Sequence, residues 1–547
     1  MNPDLTKSLL LVLLSASLLF GCKNKSTNDL QQQDRRQVIR IATASDPQTL
    51  DPRLARDLTT ATALHLLYEG LTRQDSHGKA IPALAEAIEI SEDLKTYTFT
   101  LRESMWSNGD HVTAHDFERS WKSVLDPHFP APNANQLFVI KGAEAAKAGT
   151  APIEAVKIHA QDPKTLIVEL ETPTPYFLEL LATQFFYPVN RTFLQKPSPD
   201  SPMPDRDIIT NGPFKLEKWD RRNEFTVVKN SRYWDEEHVY LSTASLILVD
   251  EGTALKLFET GQLEWAGSPL STIATDALPE LKEQGHLEIR PAAGTHWLRF
   301  NTGSGMLANA KFRSALSLAI DRHGLVEHVL QGSQKPATGI VPPPLWGNAT
   351  RYFEDNDMPK AWSLFQEALN ELNISKDDLQ PLTICYASNE RTNKIAQTIQ
   401  QQWSKAFGIK VVLEPCESHM YFTRLKNVDF QVSIGSWYAD FADPINFLEI
   451  FRSKNNGVNN THWENEDYSA LLAYSGKIAD RSKRIQVLKE AEKILIQDMP
   501  IAPLFHASLN YVKKNTVNGV YLSELGWLDL KNAYINVNPL EEPDTIE

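Results

Sequence analysis

Residues 381–414, PLTICYASNERTNKIAQTIQQQWSKAFGIKVVLE, decide the fold class of this chain. Their pattern predicts a strand over Pro381–Tyr386, a helix over Asn393–Phe407 that ends at Gly408, and a second strand over Ile409–Glu414. A strand, a helix and a strand in this order form a right-handed βαβ unit of a parallel sheet. The stretch therefore predicts an α/β fold.

Further elements surround this unit in the carboxy-terminal half. Ala310–Leu330 predicts one long helix, and Phe430–Ile434 predicts a strand that leads into Gly435–Asp440. Two more helices are expected over Tyr468–Lys477 and Arg481–Gln497. Together these elements predict a second α/β body.

The amino-terminal half has a different pattern. Val38–Thr43 alternates like a strand that enters the folded body. Short alternating strands between residues 91 and 171 flank a predicted helix over His115–Leu125, which favours an α+β insertion. Four prolines within Pro197–Pro204 prevent regular structure and favour a connection between lobes.

Length and charge limit the classes of protein that fit. A chain of 547 residues is too long for one compact core, so two or three lobes are expected. A net charge of -14, with no basic run between aromatic residues, argues against a nucleic-acid partner. Besides Cys22, the chain has Cys385 and Cys416, which would either pair in an oxidising envelope or remain two separate buried thiols.

The first residues predict export. Residues 1–21 are typical of a signal peptide, because the apolar run Leu9–Leu14 is shorter than the roughly 20 residues of a membrane span. Leu19–Cys22 resembles a bacterial lipobox, in which Cys22 is lipidated and becomes the first mature residue. Residues 22–37 are polar and predict a flexible tether. We expect a protein anchored by lipid to a membrane of the bacterial envelope, on its periplasmic side.

The sequence lacks the common short motifs of enzymes. It has no His-Glu-x-x-His, no Gly-x-Ser-x-Gly and no Gly-x-x-x-x-Gly-Lys-Ser/Thr. An envelope peptidase or amidase would need a nucleophile with its base or a set of metal ligands, and no such set is recognisable. The prediction is a protein without catalytic residues, metal or cofactor.

Several segments resemble the periplasmic oligopeptide-binding proteins, which are solute-binding proteins of the peptide/nickel class of ABC importers. Trp106–Phe117 closely resembles that family's signature Trp-Ser-Asp-Gly-x-x-Val-Thr-Ala-x-Asp-Phe, and Asp116 within it is interpreted as a residue that caps or braces a helix. The other matches run in order along nearly the whole mature chain: Leu50–Pro52, Tyr68–Leu71, Thr210–Phe214, Gly261–Glu264 and Phe312–Arg322.

The resemblance implies a two-lobed periplasmic-binding-protein fold, with an additional α+β insertion lobe and a cleft closed by hinge motion. Lobe I would combine residues 38–58, 190–294 and 508–547, the insertion lobe 59–189, and lobe II 295–507. The implied function is capture of short peptides by a monomer, and their delivery to the permease subunits of an ABC importer.

The resemblance also implies a ligand site around Asp440. Trp437–Asp440 resembles the family's Gly-Trp-Cys-Ala-Asp, in which the aspartate receives the peptide's α-amino group. A buried ammonium needs a carboxylate at short range, which supports this role for Asp440. Trp437 would offer a flat apolar wall beside Tyr438 and Ala439. The alternatives are a solvated or helix-capping acid at Asp440 and an ordinary core residue at Trp437. The nearby Asp443 precedes Pro444 and is interpreted as the start of a helix.

By the same resemblance, Asp46 and Pro47 lie in the loop that faces the extended ligand. Tyr438 and Gly294 stand where the family often has two bridged cysteines.

The sequence also departs from the family at the basic residues that meet the peptide carboxylate. Ile434 and Leu425 stand where arginines are expected, and Arg391, His419 and Arg424 are the candidate substitutes. A modified cell-wall peptide therefore remains an alternative ligand, as do nickel, haem or another solute. A chaperone or adhesin on the same scaffold also stays open. Asp440 favours a peptide, because a peptide carries an ammonium group that can pair with this carboxylate, whereas a sugar or haem has none.

Overall fold

A computed structural model describes residues 37–75, 78–194, 208–303, 305–347, 350–455 and 457–536. The predicted signal peptide, Cys22, all but the last residue of the predicted tether and the segment Pro197–Pro204 lie outside these residues. No helix within the described residues is both long enough and apolar enough to cross a membrane.

Most of the strands belong to one main sheet, and the others form small separate sheets. In chain order the strands are β1 Val38–Thr43, β2 Thr72–Gln74, β3 Ala80–Pro82, β4 Ala85–Ile90, β5 Thr96–Leu101, β6 Ile158–Ala160, β7 Thr165–Glu169, β8 Phe214–Asp220, β9 Glu224–Lys229, β10 Thr243–Leu248, β11 Trp265–Gly267, β12 Glu288–Phe300, β13 Lys335–Pro336, β14 Leu382–Ala387, β15 Val411–Cys416, β16 Val432–Tyr438 and β17 Ile501–Lys513. Four two-residue strands follow at Val517–Asn518, Tyr521–Leu522, Leu528–Asp529 and Tyr534–Ile535.

The longer helices cover both faces of the sheets. They are α1 Leu58–Leu67, α2 Ala114–Val124, α3 Glu251–Glu259, α4 Ala310–Leu318, α5 Met358–Leu372, α6 Glu390–Phe407, α7 Ser418–Lys426, α8 Glu466–Ser475 and α9 Arg481–Asp498. Shorter helical segments lie at Ala143–Lys147, Phe177–Leu181, Arg191–Leu194, Leu278–Glu283, Pro343–Trp346 and Ile445–Leu448.

The main sheet has two wings joined by two long crossing strands. Its order is β15-β14-β16-β12-β17-β11-β1-β10-β9-β8, with β13 beside β17. The crossing strands β12 and β17 are antiparallel and 13 residues long each. On one side of them lie β14, β15 and β16, called here the carboxy-terminal wing, and on the other the amino-terminal wing of β1 and β8–β11.

The predicted βαβ unit is confirmed as β14-α6-β15. The two strands pair in parallel, from Leu382 opposite Val411 to Ala387 opposite Cys416. Gly408 ends α6 with a positive φ of 66°, a backbone conformation that glycine adopts at little cost. This unit forms the outer edge of the carboxy-terminal wing, because β15 is the last strand of the sheet.

A separate antiparallel sheet, β4-β5-β7-β6, lies within the region predicted as an α+β insertion. Helix α2 packs beside it and buries Phe117 and Trp121. Asp116 braces the start of α2, because its carboxylate accepts the Thr113 backbone N–H at 2.8 Å. The sequence interpretation of Asp116 as a cap of this helix is therefore confirmed.

The prediction of one helix over Ala310–Leu330 was wrong. Helix α4 ends at Leu318, and the chain continues as a short turn Arg322–Gly324 and a wider helical turn over Leu325–Leu330. Asp321 caps the turn Arg322–Gly324, because its carboxylate accepts the Gly324 backbone N–H at 2.8 Å. The interruption lets the buried Arg322 guanidinium bind the Pro503 carbonyl at 2.6 Å and Asp355 at 3.0 Å.

Glu492 of α9 is a buried polar centre of the carboxy-terminal half. One carboxylate oxygen accepts the backbone N–H groups of Ile340 at 2.7 Å and Val341 at 2.8 Å. The other accepts the Trp346 indole N–H at 3.0 Å and the Tyr352 hydroxyl. Burial raises the pKa of Glu492, and these four donors oppose that effect. One side chain thus ties α9 to the segment 340–352.

Replacing Glu492 with Ala is expected to lower the free energy of unfolding by about 3 kcal/mol or more, because buried donors lose their acceptor. Urea unfolding measures the change. Glu490→Ala is the matched control, since Glu490 is exposed two residues earlier on the same helix. Equal effects of the two substitutions would contradict the role given to Glu492.

Candidate ligand-binding site

Strand β16 has an open edge at its carboxy-terminal end. Its antiparallel pairing with β12 covers the whole strand, from Val432 to Tyr438. Its other neighbour, β14, pairs with it only at Val432 and Ser433. Beyond Ser433, the side of β16 that faces away from β12 has no strand partner among the described residues.

The register of β12 and β16 decides which backbone groups face that edge. The Ala439 N–H donates to the Ala293 carbonyl at 2.8 Å, so the odd-numbered residues of this stretch bond to β12. The N–H and C=O groups of Ser436 and Tyr438 therefore point to the open side. The Ile434 carbonyl also points there and accepts the Tyr421 hydroxyl of α7, which occupies that end of the edge.

Asp440 follows the open edge directly. Its carboxylate accepts a hydrogen bond from the side-chain amide of Gln136 at 3.4 Å. Gln136 lies in the chain between β5 and β6, two strands of the small sheet β4-β5-β7-β6. Burial raises the pKa of Asp440, and the hydrogen bonds from Asn446 and Gln136 oppose this effect. No lysine, arginine or histidine of the described residues forms an ion pair with it. The carboxylate is thus partly desolvated and has no compensating positive charge among the described residues.

The turn that holds Asp440 is built around Asn446. The Asn446 side-chain oxygen accepts the Trp437 indole N–H at 2.7 Å and the Asp440 backbone N–H at 3.3 Å. Trp437 is half-buried, and its ring therefore has a fixed position beside the carboxylate. Ala439 is buried between them.

The neighbouring Asp443 has a structural role. Its carboxylate binds the buried Arg484 guanidinium at 2.5 and 2.8 Å, and also accepts the Ile445 N–H at 2.9 Å. This arrangement fits the interpretation of Asp443 as a helix start rather than a ligand residue. Next to it, the rings of Phe441 and Tyr176 stack with centroids 5.1 Å apart. Tyr176 follows β7 of the small sheet in the chain, so the part of the chain around this sheet also contacts the turn.

Tyr438 lies over the crossing strand β12. A Cβ atom at Gly294 would lie 2.5 Å from the Tyr438 ring, so only glycine fits beneath it. The Tyr438 hydroxyl and His296 Nε2 are hydrogen-bonded at 3.2 Å, and the His296 ring stacks on Phe505 at 4.5 Å. Burial lowers the pKa of His296 to about 3, so this histidine is neutral at ordinary pH.

Arg391 joins this aromatic group from the start of α6. Its guanidinium lies over the Phe505 ring, 5.5 Å from the centroid. Its positive charge also lowers the pKa of Tyr438, against the larger effect of burial, and contributes to the low pKa of His296. The structure therefore brings Arg391 close to Tyr438, two residues from Asp440.

Arg391 also lines a cavity of 980 Å³ that lies between the two wings. The lining is mainly polar and comes from both sides, for example Ser268, Thr272 and Asn510 from one and Gln331, Arg391 and Gln397 from the other. Its volume is in the range of small-ligand sites, about 300–1,000 Å³. Asp440 does not line this cavity, and Arg391 is the predicted site residue that reaches both places.

The remaining predicted residues lie elsewhere. The Asp46 carboxylate accepts the Arg222 backbone N–H at 2.5 Å and so holds the β8–β9 turn, while Pro47 is buried. His419 is exposed on the first turn of α7. Arg424 pairs with Glu414 at 2.9 Å and with Asp429 at 3.5 Å, which neutralises its charge.

Sequence reasoning missed Gln136, Asn446 and Tyr421. All three lie outside the motif Trp437–Asp440. No local sequence pattern shows that their amide or hydroxyl groups contact this segment in the folded protein.

One group of potential metal ligands was found in the described part of the chain. Asp235, Glu237 and His238 have ligand atoms within 4.8 Å of one another. Asp235 already pairs with Lys531 and with His238, at 2.5 Å from the latter's Nδ1. The group is a surface turn held by ion pairs and lies outside the site around Asp440.

Comparison with known proteins places this chain in a family. The family described as bacterial extracellular solute-binding proteins, family 5, middle, matches residues 79–459. The oligopeptide-binding protein OppA of Bacillus subtilis (strain 168) is 38% identical over 535 residues, which cover 97% of this chain and 98% of that protein.

Solved structures agree with this assignment. The murein tripeptide binding protein MppA of Escherichia coli is similar with a TM-score of 0.76 at 27% identity, covering 91% of this chain and 98% of that one. OppA of Haemophilus influenzae in complex with RPPGFSPFR gives a TM-score of 0.75 at 27% identity, covering 92% and 99%. The chain has the predicted periplasmic-binding-protein fold and belongs to the family 5 bacterial extracellular solute-binding proteins, which bind solutes for transporters and are not enzymes.

Proposed function

We propose that this protein captures short peptides outside the cytoplasm and delivers them to the permease subunits of an ABC importer, while Cys22 anchors it to a membrane by lipid. The observation that carries the proposal is the Asp440 carboxylate, which is partly buried, has no positive partner among the described residues and lies directly beside an open strand edge. Lobe boundaries at residues 58, 189, 294 and 507 and a monomeric state belong to the same proposal.

The charge of Asp440 supports a ligand that carries an ammonium group. Burying a carboxylate without a counter-ion is costly, and a ligand amine that arrives at short range removes that cost. Since no cation of the described residues pairs with Asp440, the α-amino group of a peptide fits this place. Nickel would need several ligand atoms, and a haem carboxylate would be repelled.

The open edge of β16 supports an extended peptide. The backbone groups of Ser436 and Tyr438 face the open side, where a ligand strand can pair with them. Such pairing reads the ligand backbone and leaves side-chain identity largely free. Tyr421 occupies the Ile434 carbonyl, so the available edge is short.

Arg391 is the best placed of the three candidate bases for a ligand carboxylate. It lines the cavity between the wings and lies beside Tyr438, whereas Arg424 is neutralised by Glu414 and Asp429. A ligand with its amine at Asp440 and its carboxylate at Arg391 has both charges paired.

A modified cell-wall peptide is the second candidate ligand. It is supported by the similarity to the murein tripeptide binding protein of Escherichia coli, since the two folds superpose over most of both chains. Asp440 and the open edge suit both kinds of peptide, so ligand screening has to include both.

Asp440→Asn is expected to weaken the binding of short peptides by roughly 30-fold or more, because the buried ammonium loses its charged partner. Isothermal titration calorimetry with the ligands recovered from the purified protein measures the loss. Asp467→Asn, at an exposed acid on α8, is the control and should bind normally. Unchanged affinity in Asp440→Asn, or the absence of any bound peptide, would overturn the peptide assignment.

Peptide affinity should also depend on pH through Asp440. Burial raises the pKa of this carboxyl in the ligand-free protein, whereas a bound ammonium favours the charged form. The affinity is therefore expected to be full at pH values above the raised pKa and to fall as the pH drops through it. Near that pH, binding should release protons from the Asp440 carboxyl. Calorimetry in buffers of different ionisation enthalpy measures the protons. The Asp440→Asn variant should lose this pH dependence, and a wild-type profile that stays flat on acidification would contradict it.

Ser436→Pro tests strand addition. The Ser436 N–H faces the open edge and not β12, so its loss should leave the β12 ladder intact while removing a hydrogen bond to the ligand. We expect weaker binding of all peptides, by about 10-fold, irrespective of their side chains. Trp437→Pro is the contrasting variant, since it removes an N–H that bonds to β12 and should lower the melting temperature. Full affinity in Ser436→Pro would exclude backbone pairing at this residue.

A further inference from the structure

The two cysteines of the described chain lie side by side at the outer edge of the main sheet. Cys385 is on β14 and Cys416 is the last residue of β15, and their sulfur atoms are 3.6 Å apart. Opposite Cys416 in the register is Ala387, two residues beyond Cys385, so both cysteine side chains point to the same face. That face is covered by α7, where Tyr421 and Leu425 pack against Cys385.

We propose that Cys385 and Cys416 form a disulfide bond that clamps the beginning of α7 to β14. The chain has three cysteines, and the third, Cys22, is the predicted lipidation site. Cys385 and Cys416 are thus each other's only cysteine neighbours in the described residues. The proposal does not depend on the ligand of the protein.

The bond requires a shift of the backbone at the end of β15, because Cys416 lies opposite Ala387 and not opposite Cys385. An offset of two residues between parallel strands separates the Cα atoms by about 8 Å, and a disulfide spans at most about 7 Å. The sulfur atoms touch at 3.6 Å and must approach to about 2.05 Å. Since β15 is the last strand of the sheet, no strand on its outer side resists the movement. The loop that the bond closes includes α6 and β15, which are already ordered in the fold.

The two sulfur atoms have different surroundings, and this gives the reaction an order. Cys416 is partly exposed, and the Arg424 guanidinium lies 3.6 Å from its sulfur. Cys385 is 1% exposed, and burial raises its pKa to about 12. Cys416 is therefore the sulfur that meets an oxidant first.

A small-molecule disulfide such as oxidised glutathione is a sufficient oxidant. The Cys416 thiolate attacks one of its sulfur atoms, which breaks the glutathione disulfide and releases one glutathione thiolate. The Cys385 sulfur then attacks the Cys416 sulfur, gives up its proton and releases the second glutathione thiolate. The two cysteines lose two electrons and two protons, and the glutathione disulfide becomes two thiols.

The bond would join the sheet to the helix that carries the predicted ligand residues His419 and Arg424. Glu417 follows Cys416 directly and caps α7, because its carboxylate accepts the His419 N–H at 2.8 Å. The clamp therefore acts at the residue before this cap. A fixed first turn also fixes Tyr421, which occupies one end of the open edge of β16.

Peptide mapping of the full chain tests the proposal. The protein is equilibrated in a glutathione buffer whose redox potential is that of a secretory compartment, and the reaction is quenched with acid. It is then alkylated and digested with trypsin without reductant. We expect residues 377–391 and 411–424 to appear as one disulfide-linked pair, which keeps the result separate from Cys22. Alkylated cysteines in both peptides, or separate glutathione adducts on them, would overturn the proposal.

Single variants separate pairing from simple oxidation. Cys385→Ser should retain a stable glutathione adduct at Cys416, because the second attack has no nucleophile. In native Cys416→Ser, Cys385 should resist modification, since it is buried. A reductant should lower the melting temperature of the wild type but not that of the double variant Cys385→Ser/Cys416→Ser. An equal response of both proteins to the reductant would also count against the bond.

Discussion

The pairing of β12 with β17 is the constraint on which the rest of this structure depends. These two strands pair from Glu288 to Arg299, with register irregularities between Pro291 and Thr295 and between His296 and Trp297, and they join the two wings into one sheet. Each wing has its own helices, so relative motion of the wings has to pass through these two strands. The cavity lies between the wings, and Tyr438 rests on β12 at Gly294. A ligand site at this position experiences any change in the angle between the wings.

The same pairing creates the open edge of β16. Strand β12 binds one side of β16 along its whole length, whereas β14 diverges after two residues. An unpaired edge in the middle of a sheet leaves backbone groups without partners, which is unfavourable unless water or a ligand satisfies them. Asp440 adds a partly desolvated negative charge at the end of this edge. Under the proposed function, a peptide with a free amine would pair with both features, so the cost of these unpaired groups and the selectivity for the ligand would have one origin.

Local sequence patterns predicted the elements well where side chains alternate or repeat regularly. The unit β14-α6-β15 was recognised with its stop at Gly408, and Asp116 was recognised as a cap of α2. The helix over Ala310–Leu330 was predicted as continuous, because its apolar periodicity continues through the break. What interrupts it is the insertion of Arg322 toward Pro503 and Asp355, contacts of distant sequence that no local pattern contains.

The sequence by itself determined the family, the α/β class and the position of the acidic residue Asp440, because these depend on ordered motifs and on residue type. Only the tertiary structure decided that Asp440 is partly buried without a cation among the described residues, that Gln136 and Asn446 hold it, and that Arg391 rather than Arg424 lies near it. It also decided that Cys385 and Cys416 meet, since the register of β14 and β15 places them on one face. The physical reason is that pKa, ion pairing and sulfur contact depend on distances between residues far apart in the chain, which only the packed structure defines.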